Sequence, residues 1–295
     1  MADYLLLILA DILLALNFAA TKAYQKNSGT SLYTGLLFNA ALGFFSALLF
    51  FTVNGAKCAL TPFSAVMALL MGVLCVAYTC LGFLIMERDD ITLYTVFLMT
   101  GGMAVPYIWG LIFLEEPFSY LRTAGLIIIA AAIVMMNSGS GKPDKKTVLL
   151  CVAVFFLNGF VSVISKEHQI GASAVASADF VILTGAAKAV AGSAALLFTG
   201  KQKERARFNL KSVLFTFLAA ALGGASYLFQ LKGAINLPAT VLYPFITGGS
   251  IIFTALAGRV FFGEKPKKRT LTGIALCFFG NGIIFIKSII YKEEI

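Results

Sequence analysis

Three charged side chains lie within long apolar stretches of the sequence, and they are the residues best placed to do chemistry. Asp11 lies near the middle of the first stretch, and Asp179 and Lys188 both lie in the seventh. A charge at the centre of a bilayer costs about 2.5 to 3.5 kcal/mol on insertion scales, so each needs a partner, water or a function. Nine residues separate Asp179 from Lys188, which places them on opposite faces of one helix. We therefore expect Asp11 to face Lys188 across a central cavity.

Two kinds of chemistry are open to these two residues. A carboxylate such as Asp11 can release a proton when a solute binds and regain it afterwards, which couples solute movement to a proton gradient. Alternatively, Lys188 binds the carboxylate of a solute, and Asp11 is structural.

Five more polar residues within the apolar stretches are predicted to line the same cavity: Asn17, Asn39, Tyr78, Tyr227 and Tyr243. Tyr78 and Tyr227 are 149 positions apart, which makes them equivalent residues if the chain is duplicated. Two facing tyrosine rings can hold a planar or cationic solute. Interhelical hydrogen bonds and core packing explain these residues equally well.

Two Thr-Gly-Gly segments, each close to a proline, predict places where helices bend. Glycine pairs let backbones approach closely, and proline removes a backbone hydrogen bond. These positions are predicted either to gate the cavity or to pack the two halves tightly together. They are Gly101, Gly102, Pro106, Pro244, Gly248 and Gly249.

The sequence has no signature of an enzyme or of a metal site. It contains no HExxH, GxSxG or GxxxxGK[ST] pattern. The sole histidine, His168, has no cysteine or carboxylate at ligand spacing. We therefore expect no catalysis, no metal and no cofactor, and energy for any transport must come from gradients or exchange.

The composition places these residues in a membrane. Of 295 residues, 59% are hydrophobic and 13% are charged, and the mean hydropathy is +0.90. A spanning helix needs about 20 apolar residues, and ten such stretches can be placed, of which the fifth is short. The net charge of +9 lies mostly in the short connections, which is typical of topology control rather than of nucleic-acid binding. The sequence thus predicts a multi-pass protein of the cell membrane.

The ten predicted spans form two sets of five. Thr100-Gly101-Gly102 recurs as Thr247-Gly248-Gly249, and further matches share offsets of 147 to 149 positions. We expect a first repeat at 1–138, a polar linker at 139–146 and a second repeat at 147–295. Because five is an odd number, the second repeat enters the membrane from the opposite side, and a solute site near the midplane between the halves is expected.

The ten spans, the duplication and a paired Gly-Glu-like element resemble the drug/metabolite transporter superfamily, EamA type. The sequence pairs Leu114-Glu115 with Gly263-Glu264 for this element. The resemblance implies an all-α membrane fold of two inverted five-helix repeats around a central cavity, and a transporter of drugs, amino acids or other metabolites. Ile8-Leu-Ala-Asp11 also resembles the Ile-Leu-Ala-Glu segment of small multidrug resistance proteins, whose carboxylate binds protons and cationic drugs in turn.

These features together predict a secondary active transporter that moves a small polar or cationic organic solute by alternating access. Proton-coupled export is the preferred mode of transport. The alternatives are an amino-acid or metabolite exchanger or facilitator without proton coupling and, from another class, a membrane scaffold. The expected partners are the solute, protons and membrane lipids, and a monomer suffices. The positive-inside rule favours termini outside the cell, whereas the family resemblance favours termini inside.

Overall fold

The computed structural model describes residues 2–86, 91–136, 145–199, 209–265 and 267–290, and all regular structure within them is α-helical. This confirms the predicted all-helical fold. The helices, in chain order, are α1 (Ala2–Ser28), α2 (Leu32–Val53), α3 (Pro62–Met86), α4 (Ile91–Ile112), α5 (Tyr120–Met136), α6 (Lys145–Ile170), α7 (Ser177–Leu197), α8 (Leu210–Asn236), α9 (Ala239–Phe262) and α10 (Lys268–Ile290).

Nine of these ten helices contain described segments long and apolar enough to cross a membrane, and α5 is a shorter apolar helix of 17 residues. Large apolar side chains cover the outside of the bundle, as lipid contact requires. The chain is therefore a multi-pass integral membrane protein, as predicted.

Local sequence sets several helix ends. Ser31 caps α2 by accepting a hydrogen bond from the backbone N–H of Thr34, and Asn209 caps α8 in a reciprocal box with Ser212. At the other end of α9, Gly263 adopts a left-handed conformation with φ of 65°. Pro238 begins α9 without a side-chain cap of its own, so the first N–H groups of α9 need another acceptor.

The two groups of five helices are interleaved rather than side by side. α1 packs on α8 and α9, and α6 packs in the same way on α3 and α4. The equivalent helices α2 and α7, α4 and α9, and α5 and α10 also pack on each other. Each of the pairs named here recurs when the two groups of helices are exchanged, which is the pattern of a two-fold pseudosymmetric bundle. Most of the predicted linker, 139–146, lies outside the described residues, although Lys145 and Lys146 belong to α6.

In the first half of the chain, the Gly-Glu-like element lies one residue later in the structure than the sequence pairing predicts. The backbone N–H of Glu116 donates to Gly110 O at 3.0 Å, and that of Glu264 donates to Gly258 O at 3.2 Å. The preceding residues are both left-handed, with φ of 53° at Glu115 and 65° at Gly263. Glu115-Glu116 is therefore the counterpart of Gly263-Glu264, and the sequence pairing of Leu114-Glu115 is corrected.

Side-chain hydrogen bonds define two ends of the bundle. One end, here called the Pro238 end, contains the α8–α9 turn and three further contacts, which join Asn236 to Asp3, Asn54 to Asp179 and Ser64 to His168. The opposite end, called the Gly29 end, contains the α1–α2 turn and bonds joining Asn27 to Asn209 and Ser28 to Ser212.

Candidate solute-binding cavity

A cavity of about 440 Å³ lies between the two groups of helices. Helices α1 to α4 and α6 to α9 line it, whereas α5 and α10 contribute no described wall residue. A volume of this size is within the range of about 300 to 1,000 Å³ that is usual for small-molecule sites. A central hollow between the halves is thus present where the sequence predicts it.

Six of the residues predicted for the solute site lie on the wall: Asn17, Asn39, Tyr78, Lys188, Tyr227 and Tyr243. Lys188 is the one charged side chain on the described wall, and its Nζ lies 5.7 Å from the centre of the Tyr227 ring. A cation over a tyrosine ring is stabilised by the ring's negative face. The tyrosine therefore holds the lysine within the cavity without neutralising its charge.

Hydrogen bonds to neighbouring backbones orient the polar side chains of the wall. Asn17 Nδ2 donates to Ala219 O at 2.7 Å, and Asn39 Nδ2 donates to Gly35 O at 3.1 Å. Because each amide uses its nitrogen in this way, its oxygen is left as an acceptor. The Tyr243 hydroxyl donates to Ser162 O at 2.5 Å. The cavity thus combines one cation with several hydrogen-bond acceptors.

Asp11 is not on the cavity wall, and the predicted pairing with Lys188 is absent. Asp11 has no exposed surface, and no described ion pair joins it to Lys188. The reason is the close approach of α9 at Gly249, where a Cβ atom would lie 2.0 Å from Asp11 Oδ2. The glycine lets α1 and α9 close over the carboxyl group and shut it away from the cavity.

The residues predicted to gate the cavity lie inside α4 and α9, and most of the glycines among them are tightly packed. Pro106 lies inside α4 and Pro244 lies inside α9. A Cβ atom at Gly101 would lie 2.2 Å from Phe155 O on α6, and one at Gly248 would meet Asn281 on α10. Gly102 lies on the cavity wall against Asn158. The contacts fit tight packing between helices, and a gating movement stays a prediction.

Several wall residues were not predicted from the sequence, because serine, threonine and glutamine are common in membrane helices that only pack together. They include Thr21, Ser46, Asn158, Ser162, Ser165, Thr184, Gln230, Thr247 and Ser250. One signal was available for Asn158, which lies 147 positions after Asp11 and so at its equivalent place in the second half. A second cavity of about 210 Å³ shares Thr21, Phe38 and Asn39 with the first and extends to Gly29.

Charged side chains hold the bundle together at the Pro238 end. Lys166 Nζ donates to Ala234 O at 2.7 Å and to Leu237 O at 2.8 Å, which satisfies carbonyls at the end of α8. Glu116 accepts from the N–H groups of Ala239 and Thr240, which begin α9. A cation at a helix C-terminus and an anion at a helix N-terminus both complement the helix dipole. We call these contacts the clasp.

His168 has a structural position at the same end. Its Nε2 is 2.8 Å from Ser64 Oγ, and its ring stacks on Phe180 with ring centres 3.5 Å apart. Among the described residues, no group of three histidine, cysteine or acidic side chains is arranged to hold a metal ion.

Comparisons with known proteins agree with this fold. Residues 145–286, from the start of α6 into α10, match the EamA-like transporter family. A solved structure, described only as the crystal structure of a protein, has a TM-score of 0.74 and 15% identity, and the match covers 96% of this chain and 96% of that chain. At that identity the likeness shows a shared fold alone. No curated protein matches the sequence.

Proposed function

This chain belongs to the EamA-like transporter family through residues 145–286, and from that premise we propose that it carries a small organic solute bearing a carboxylate by alternating access of the central cavity. It is a membrane transporter of the drug/metabolite superfamily. The solute class and the transport cycle are the parts that we propose.

The observation that carries the solute class is the charge of the cavity wall. Lys188 lies on the wall, and no aspartate or glutamate does so among the described residues. Lys188 is half-buried within the membrane-spanning bundle, and a charge that is partly withdrawn from water is stabilised by an opposite charge that offsets its desolvation. A solute carboxylate supplies that charge, so the charge of the wall favours a solute with a carboxylate over a cation.

The remaining wall groups suit a solute that also donates hydrogen bonds. The side-chain oxygens of Asn17 and Asn39 are acceptors, because their nitrogens are bonded to backbone carbonyls. An ammonium group or hydroxyl of the solute can donate to them. An amino acid or another small metabolite with a carboxylate therefore fits better than a purely cationic drug.

The two ends of the bundle support alternating access. The clasp binds α8 and α9 at the Pro238 end, whereas the second cavity continues the first toward Gly29 at the other end. We take the described conformation as one in which solute enters from the Gly29 end. If each of the two pseudosymmetric halves adopted the conformation of the other, the Pro238 end would open instead of the Gly29 end.

Counterflow in proteoliposomes tests the solute class. We expect radiolabelled amino acids and other carboxylates to exchange, and amines and nucleosides without a carboxylate to exchange weakly or not at all. Lys188→Met should raise KM for the carboxylates by about 10- to 100-fold, because a hydrogen bond to a charged group is worth about 1.5 to 3 kcal/mol. Lys188→Arg should retain part of the activity.

The matched control is Lys232→Met, which removes an exposed lysine of α8 and should leave KM unchanged. Exchange of amines but not carboxylates, or a normal KM in Lys188→Met, would contradict the proposed solute class. Silence of the wild-type protein across the whole panel would favour the scaffold alternative.

A further inference from the structure

The contact between α1 and α9 repeats the contact between α6 and α4, with one chemical difference. Asn158 of α6 lies against Gly102 of α4, and Asp11 of α1 lies against Gly249 of α9. Each residue of one pair is 147 positions from its counterpart in the other. An amide in one half thus occupies the place of a carboxyl group in the other.

The amide makes a hydrogen bond that an ionised carboxylate cannot make. Asn158 Nδ2 donates to Leu98 O at 2.8 Å, across the contact between α6 and α4. Phe245 is the residue of α9 equivalent to Leu98, and Asn281 Nδ2 donates to its carbonyl at 3.2 Å. A carbonyl has two lone pairs, so it can accept a second hydrogen bond. An ionised Asp11 has no hydrogen to donate, whereas a protonated Asp11 does.

Among the residues that the structure describes, none donates a hydrogen bond to Asp11. Both of its carboxyl oxygens are buried, and neither has a hydrogen-bond partner in that part of the chain. On α8, Ser226 donates to Ala10 O, and the Tyr227 hydroxyl is bonded to Ser165. On α9 the Tyr243 hydroxyl donates to Ser162 O, and α10 presents the amide of Asn281, which does not titrate.

A carboxylate in this place would be an unpaired buried charge, which costs several kcal/mol. The neutral acid removes the charge, and its O–H can donate to a backbone carbonyl of α9 as Asn158 does on α4. Both the missing donors and the pseudosymmetric amide therefore favour the acid form.

We propose that Asp11 is a proton-binding residue, protonated in this conformation, and that its proton site is separate from the solute site at Lys188. Deprotonation is an exchange with water: the Oδ–H bond breaks, its electron pair stays on oxygen, and the proton passes to a water molecule. The resulting charge is stable only when water reaches it, which requires α1 to separate from α9 at Gly249. Proton binding thereby acts on transport through helix packing, and not through competition with the solute as the sequence predicts. The effect of the proton on transport rests on the proposed carrier function. The protonation of Asp11 itself does not depend on that function.

Infrared spectroscopy of the protein in lipid bilayers tests the protonation directly. At pH 7 we expect the wild type to show the carbonyl band of a protonated carboxyl group, and Asp11→Asn to lack it. Asp179→Asn is the matched control, because Asp179 is also buried but accepts a hydrogen bond from Asn54 at 2.8 Å in the first turn of α7. The band should survive in that variant.

Absence of the band in the wild type at pH 7, or its loss in Asp179→Asn but not in Asp11→Asn, overturns the proposal. If Asp11→Asn does not fold, Asp11→Glu takes its place: the carbonyl band should change frequency in Asp11→Glu and stay unchanged in Asp179→Glu, and a band unchanged in Asp11→Glu overturns the proposal.

Transport assays then separate the two proposals. With a carboxylate solute at equal pH on both sides, Asp11→Asn should keep counterflow within about threefold of the wild type. Accumulation driven by a pH gradient should be lost in the same variant. Gradient-driven accumulation that persists in Asp11→Asn refutes proton coupling at Asp11, whereas absence of all counterflow in the wild type refutes the carrier function and leaves the infrared result standing.

Discussion

Two lysines inside the helical bundle, the buried Lys166 and the half-buried Lys188, differ in how their charges are satisfied. Lys166 donates to two backbone carbonyls at the end of α8, so its charge is used in holding the clasp together. Lys188 rests over the ring of Tyr227 and, among the described residues, makes no hydrogen bond or ion pair. Lys188 is therefore the lysine with donors to spare for a solute.

Cys58 offers a residue-scale test of electrostatics outside the spans, in the connection between α2 and α3. The pKa of the Cys58 thiol is raised, chiefly by burial and to a smaller extent by the nearby charge of Asp179. Because the thiolate is the reactive form, a raised pKa lowers the rate of alkylation at neutral pH. Asp179→Asn removes the charge, so the pKa should fall and alkylation at pH 7.5 should become roughly two- to fivefold faster.

The measurement is the pH dependence of maleimide labelling, whose midpoint should lie above that of a free thiol and move to lower pH in Asp179→Asn. The asparagine can still accept the hydrogen bond from Asn54, so the loop is preserved, and Cys58→Ala gives the background. An unchanged midpoint would show that the charge of Asp179 has no influence on this thiol.

The wall residues and Asp11 show what sequence reasoning can and cannot find at this scale. Polar groups in apolar spans are costly, so residues such as Asn17 and Lys188 could be selected from the sequence and do lie on the wall. The same cost of burial also selected Asp11 from the sequence. Leu14 and Phe18, which lie on the same face of α1 as Asp11, do line the cavity. Whether Asp11 is exposed to the cavity depends on how closely α9 approaches α1, and this distance is set by tertiary packing.

At the scale of elements, the connection between α4 and α5 organises a helix of the other half. Glu115 takes the left-handed conformation that its counterpart Gly263 adopts more easily, and this turn directs Glu116 to the start of α9. Glu264, the counterpart of Glu116, instead forms a half-exposed ion pair with Lys22. The two equivalent glutamates are therefore in different bonding states in this conformation.

This difference predicts unequal effects of two matched substitutions. Glu116→Ala should lower the free energy of unfolding by about 1 to 3 kcal/mol, because it removes charge-assisted bonds to backbone N–H groups that have no other acceptor. Glu264→Ala should cost less than about 1 kcal/mol, since exposed ion pairs contribute little. Thermal unfolding of the purified protein measures both, and equal losses would contradict the capping role of Glu116.

The number and order of helices followed from apolar runs, but their ends did not. The sequence places the end of the first span at Ala23 and the start of the seventh at Ala172, whereas α1 continues to Ser28 and α7 begins at Ser177. Polar residues can continue a helix beyond the bilayer. Before α7, bonds from Gly171 N to His168 O and from Ala174 N to Gly171 O form a turn instead. Neither the extension of α1 nor the turn before α7 can be predicted from hydropathy.

At the scale of the whole molecule, the basic residues and the cavity point to the same side. Sixteen lysines and arginines belong to the Gly29 side of the bundle in the predicted arrangement, against six on the Pro238 side. The positive-inside rule therefore predicts that the Gly29 end lies in the cytoplasm. With the second cavity at that end, we expect the described conformation to face inward.

Thiol labelling of intact cells tests this orientation. In a Cys58→Ala background, Lys57→Cys at the Pro238 side should react with an impermeant maleimide added outside, because Lys57 is exposed. Lys265→Cys, exposed at the Gly29 side, should react only after permeabilisation. The reverse pattern would place both termini inside, as the family resemblance implies.

The interleaving of the helices bears on how such a protein could have arisen. α1 rests chiefly against α8 and α2 against α7, so a chain cut between α5 and α6 would leave each piece with its main packing partners on the other. If the chain arose by duplication, as its sequence predicts, we expect that an ancestor of half this length needed a second copy, inserted in the opposite direction, to cover the same helix faces. On that hypothesis the asparagine that faces Gly102 and the aspartate that faces Gly249 are a difference that the two copies acquired after they were joined.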